Sequence, residues 1–115
     1  MVTFAAEPNS AGTPYVVYTA GSGVTAVVLG LILTNINTAQ VTAEVELVSD
    51  TGSRGGSNDV TNGTAFLAKD IPIPVGSSVE LLSGNKVVLE TTDQIRIDCS
   101  VADKLSGALS VMEIT

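Results

Sequence analysis

The sequence predicts an all-β fold: a single-domain antiparallel β-sandwich, jelly-roll-like, of seven or eight strands. Three observations predict it. Short bursts of Val, Ile, Leu, Thr and Tyr recur along the chain, several of them strictly alternating with polar residues. Gly, Ser, Asn and Pro clusters separate these bursts at intervals of about ten residues. No stretch makes a convincing helix: one is possible at 24–35, but the Val, Thr, Ile and Gly there disfavour it. The 115 residues contain no internal repeat and no composition break, which fits one domain with a core of its own.

Residues 1–14, rich in Ala, Pro, Gly and Asn, read as an N-terminal arm or irregular lead-in, and 15–115 as the sandwich domain. YVVYTA, 15–20, is the first strand candidate, with Tyr15 and Tyr18 expected on opposite faces. After the GSG turn, VTAVVLGLILTN, 24–35, is apolar on both faces, as a strand covered on both sides must be. VTAEVELVS, 41–49, alternates: Val41, Ala43, Val45 and Leu47 inward, Thr42, Glu44 and Glu46 outward. In DIPIPV, Pro72 and Pro74 stand two apart, so their missing donors lie on the same side of the chain. Proline is tolerated in a strand where that side faces solvent, so the segment reads as an edge strand guarded against further pairing. VELL, 79–82, and KVVLE, 86–90, flank Ser83-Gly84-Asn85 as a short hairpin. DQIRIDCSV, 93–101, places Ile95, Ile97, Cys99 and Val101 inward, and GALSVMEIT, 107–115, closes the chain as a last strand.

Composition narrows the function. The net charge is −7 and the five basic residues are scattered, which argues against nucleic acid as a partner. The longest apolar run, 24–33, is half of the ~20 residues that span a bilayer, so no membrane partner is expected. The start of the chain lacks the basic region of a signal peptide. One cysteine forms no intrachain disulfide. Charged residues make up 15%, below the usual ~25%, which leaves a largely neutral surface suited to cover by other subunits.

No catalytic residue, cofactor or metal is expected. The chain has no histidine, which removes Ser-His-Asp and Cys-His catalysis and most zinc sites. Cys99 on an inward face is a small apolar core residue. Glu44 and Glu46 share a solvated strand face and lack the aromatic cleft of a glycosidase. The loop 50–59 holds Gly and acidic residues without EF-hand spacing. Asn62-Gly63-Thr64 fits a glycosylation sequon but reads as turn chemistry. Arg54-Gly55-Gly56 occurs once and is flanked by acids.

The two-faced apolar strand at 24–33 makes assembly the expected activity. Thr25, Val27, Leu29, Leu31 and Leu33 form the bulkier face, expected in the core. Val24, Ala26, Val28, Gly30 and Ile32 form the smaller face, expected to be covered by a neighbouring subunit in a homo-oligomer or a larger lattice.

The stretch 65–115, with its IPIPVGSS step, its GNKVVLETTDQIRI arm and its terminal ALSVMEIT, resembles small virion structural proteins of tailed bacteriophages, notably of marine and cyanobacterial phages. VLGLILTNINTAQVTAEVELV, 28–48, fits the same pattern of apolar strand, Asn turn and alternating strand. The resemblance implies a non-enzymatic β-sandwich subunit of a virus particle, assembled in the host cytoplasm, with major capsid or tail proteins as partners. A capsid decoration protein or other outer particle component is the first expectation. The alternatives are a tail, neck or fibre component, or a carbohydrate-binding host-recognition module.

Overall fold

The computed structural model describes residues 1–49, 63–82 and 86–114. Among them are nine strands and no helix: β1 (Val2–Glu7), β2 (Tyr15–Thr19), β3 (Thr25–Asn35), β4 (Val41–Val48), β5 (Thr64–Ile73), β6 (Ser78–Leu81), β7 (Val87–Leu89), β8 (Gln94–Cys99) and β9 (Leu105–Ile114). They form two antiparallel sheets packed face to face. The first, sheet A, runs β1-β9-β3, with β6 and β7 both along the far side of β3. The second, sheet B, runs β2-β8-β4-β5.

The core lies between the sheets. Leu31, Leu33 and Leu109 of sheet A are fully buried there, as are Val45, Ile95 and Ile97 of sheet B. The alternation of 41–48 and 94–99 produces this directly: β4 and β8 pair in register, Val45 beside Ile97 and Leu47 beside Ile95. Val101 departs from the pattern because β8 ends at Cys99, and Val101 is exposed in the following turn. Asp98 and Glu46, on the opposite parity, are largely buried as well. Asn35 is the buried amide of the core margin. Its Nδ2 donates to the carbonyls of Ala39 (3.0 Å) and Ile73 (2.8 Å), and its Oδ1 accepts from the Asn37 N–H (2.7 Å). It therefore clips the β3–β4 turn onto the end of β5, with its polar atoms satisfied as burial requires.

Four expectations need correction. First, residues 2–7 are not irregular. Val2, Thr3 and Phe4 pair with Leu109, Ala108 and Gly107, and the Phe4 ring packs against Tyr15 at 5.9 Å between centroids. Second, the 79–90 segment is not a hairpin. Leu81 pairs with Leu31 and Val87 with Val28, both antiparallel to β3, so β6 and β7 run in the same direction along one strand.

Third, β3 does not keep one parity. Val28 pairs with Val111 and Gly30 with Ser110, so Leu29 is an extra residue between consecutive pairs, a β-bulge. Ala26 and Val28 point inward before it, and Leu31 and Leu33 after it. Leu29 and Ile32 point out, 43% and 45% exposed. Fourth, a shift between Val16 and Tyr18 does the same to β2. Tyr15 and Tyr18, expected on opposite faces, both reach the facing sheet. The described residues alone hold nine strands, where seven or eight are expected of the chain.

Candidate functional site: the two outer faces

The sandwich turns a charged face outward on sheet B and a neutral one on sheet A. On sheet B, register sets Glu44 beside Asp98 and Glu46 beside Arg96, across β4 and β8. The acids at the first of these positions would repel. Each is separately engaged: Glu44 accepts from the Lys69 ammonium at 3.1 Å, and Asp98 Oδ1 accepts from the N–H groups of Gly12 (3.2 Å) and Cys99 (2.8 Å). The hydrogen bond to Glu44 raises the Lys69 pKa. Lys69 also sits 4.4 Å above the exposed Phe66 ring, a cation–π contact.

A depression of about 360 Å³ opens here, between the β1–β2 connection and β4, lined by Gly12, Thr42, Glu44, Asp70, Asp98 and Ser100 among others. Three of its polar side chains are engaged in the fold: the Ser100 hydroxyl accepts from the Thr42 N–H at 3.0 Å, Asp98 holds the connection down through Gly12, and Glu44 pairs with Lys69. No pair in it has the arrangement of a nucleophile and its base. Among the described residues no cluster of three Asp, Glu or Cys side chains is placed to hold a metal ion. Cys99 is a free, buried thiol under this surface. The calcium reading of 50–59, the Arg54-Gly55-Gly56 motif, Asn62 of the sequon and Ser83-Gly84-Asn85 lie outside the described residues.

Sheet A presents a different surface. Met112, Val27 and Val88 stand side by side across β9, β3 and β7, pointing away from the core. Ile32 with Ala108 and Thr3 forms a second row. Leu29 projects from the bulge, and Ile114 ends the face beside Thr25. Leu29, Ile32, Val88, Met112 and Ile114 are each 43–57% exposed. Register brings one charged residue to these rows, Glu80 opposite Ile32, on the edge strand β6.

The face expected to be covered by a neighbour is therefore misassigned. Ala26 and Val28 have no exposed surface and belong to the core, because the β3 bulge reverses the parity on which the expectation rested. Val24 packs against the core just before β3, and Gly30 is half-buried beside the bulge. Ile32 alone of that set lies on the outer face, while Thr25, Val27 and Leu29, expected inside, point out. Sequence reasoning missed Val27, Leu29, Val88 and Met112. The available signal was the terminal strand, where Leu109 and Val111 on one parity and Met112 and Ile114 on the other are all apolar.

Pro72 lies in β5, at the end of sheet B in its strand order. Its partner Thr42 spends both backbone groups on Ser100, the residue after β8: its N–H on the Ser100 hydroxyl, its carbonyl on the Ser100 N–H. Thr42 and Pro72 thus form a non-hydrogen-bonded pair, and the proline nitrogen faces away from β4. Pro74 follows one residue after the strand, and its carbonyl accepts from Ser77 N–H in a turn at 3.1 Å.

Comparison with family models, with curated proteins and with solved structures finds no match to this chain.

Proposed function

We propose that this chain is a non-enzymatic structural subunit of a tailed-phage virion, a capsid decoration protein or other outer particle component, jelly-roll-like in type, that acts by contact with its neighbours. The observation that carries the reading is the neutral, apolar outer face of sheet A. Exposed apolar rows on a continuous sheet face mark an interaction surface. Asp98, Ser100 and Glu44 in the depression on sheet B are meanwhile engaged within the fold itself. The phage setting rests on the resemblance of 28–48 and 65–115 to small virion proteins, and the partners are accordingly major capsid or tail proteins. A tail, neck or fibre station uses the same face in the same way. A carbohydrate-binding module is less well supported. Tyr15 and Tyr18 are turned between the sheets, and Phe66 is a single exposed ring already beneath Lys69.

The test is quantitative mass spectrometry of density-banded particles of the phage that encodes the chain. A fixed copy number relative to the major capsid protein, matching capsid or tail symmetry, is expected. Loss of the chain on banding, or a copy number that varies between preparations, overturns the reading.

A further inference from the structure

We infer that the outer face of sheet A is closed by a second copy of this chain, the two copies packing sheet A against sheet A about a two-fold axis that runs along β3. The inference names the partner of the surface on which the structural-subunit reading rests.

Size is the first argument. The face is one 11-residue strand long and four strand positions wide. A two-fold axis along β3 superposes three of those positions, β9, β3 and the β6/β7 side; at about 3.3 Å per residue and about 4.8 Å between strands that is roughly 36 by 14 Å, or about 500 Å² per copy. Two such faces bury about 1,000 Å², the least that a specific interface needs.

Charge is the second. Among the described residues a basic partner meets Glu80 in these rows and Glu90 two residues beyond Val88, with Lys86 two residues before it, and an acidic partner sets its charge against Val27, Val88 and Met112. The surface that matches a neutral apolar sheet is another neutral apolar sheet. The chain carries −7, so two copies ought to repel. In this arrangement, however, the charged faces of sheet B are both outermost. They are then three sheet spacings apart, about 30 Å, several times the ~8 Å screening length at physiological salt. Packing through sheet B instead would set Glu44, Glu46 and Asp98 of the two copies against each other.

Geometry is the third. Met112, Val27 and Val88 lie in one row with Val27 at its centre, on β3. A two-fold axis along β3 lays Val27 over Val27 of the second copy and Met112 over the second copy's Val88. The row is self-complementary, as an isologous contact requires. Glu80, on β6 at the same lateral position as Val88, falls over Ala108 of the second copy, whose small side chain leaves the carboxylate room to reach the β6 edge.

Sedimentation equilibrium of the full chain tests this, with the Met112→Lys, Val88→Lys double variant beside it. The wild type is expected at twice the 11.7 kDa chain mass, and the double variant at the chain mass with an unchanged far-ultraviolet circular dichroism spectrum. A short bis-maleimide reagent then reads the geometry. Val27→Cys is expected to cross-link to a dimer and Glu44→Cys not to, the native Cys99 being buried and silent. A wild type that stays monomeric, a double variant that still dimerises, or cross-linking through Glu44→Cys in place of Val27→Cys each overturns the inference. A chain that is monomeric alone but present at fixed copy number in particles refutes the dimer and leaves the structural role standing. A dimer absent from particles does the reverse.

Discussion

Leu29 and Leu31 are two residues apart on one strand, so an unbroken strand would give them the same face. The bulge separates them: Leu31 has no exposed surface, and Leu29 is 43% exposed. Leu31→Ala removes buried methyl groups and leaves a cavity between Leu81 and Leu109, its register partners on either side. Such a change costs about 2–5 kcal/mol. Leu29→Ala removes atoms that already meet solvent in the single subunit, and is expected to cost less than about 1 kcal/mol. Equilibrium urea unfolding measures both. With a slope of about 1.5 kcal/mol per molar urea, Leu31→Ala lowers the midpoint by about 2 M and Leu29→Ala by less than about 0.7 M. The comparison is made at a dilution where copies do not associate. Equal losses at the two positions, or a larger loss at Leu29, refute the bulge and with it the assignment of the outer face.

Gly107 lies beneath the Phe4 ring; a Cβ there would overlap the Ile32 carbonyl oxygen and stand 2.8 Å from Phe4 Cζ. Gly107→Ala is therefore expected to destabilise by about 1–3 kcal/mol in the same urea assay, and a neutral result contradicts the close approach of β1, β9 and β3. The Tyr18 hydroxyl donates to Glu113 across the end of the sandwich, and burial, that hydrogen bond and the carboxylate's charge push its pKa up from 10.0 to about 12. Because the folded state favours the protonated phenol, its contribution is complete below pH 10 and is lost as pH rises through about 12. Tyrosinate absorbance should show a late step that Tyr18→Phe removes, and the stability gap between wild type and variant should narrow over that window. The Pro72→Val, Pro74→Val double variant restores a backbone donor on the outward side of β5 and is expected to associate aberrantly at high concentration by light scattering; a wild-type size distribution contradicts the guarded edge.

The strands that alternate cleanly were legible because a period of two has one physical meaning. The 41–48 and 94–99 segments show their inner faces in the residues alone, and they build the centre of sheet B. The apolar run of β3 was legible as a strand covered on both sides, but not as to which side. A bulge is one added residue with no composition of its own, and at Leu29 it exchanges every face assignment on one half of the strand. The shift at Val17 did the same to the two tyrosines. β1 was hidden because Ala5, Ala6 and Glu7 are weak strand formers beside a Pro- and Gly-rich stretch, and its stability comes from Phe4 packing on Tyr15 and pairing with β9. The β6–β7 break looks like a hairpin locally. Only the register with β3 shows that both pieces run one way. Each error is a question of pairing, and the one at Leu29 moved the predicted interface.

On the proposed function, the outer face of sheet A is covered in the assembled particle. Hydroxyl-radical footprinting of the chain within purified particles, referenced to the chain unfolded in denaturant, tests it most directly. Both faces carry exposed apolar reporters: Leu29, Ile32, Val88 and Met112 on sheet A, Val16 and Phe66 on sheet B. The sheet A reporters are expected to be protected several-fold more than Val16 and Phe66. Equal labelling of the two faces, or protection concentrated at Val16 and Phe66, would contradict it.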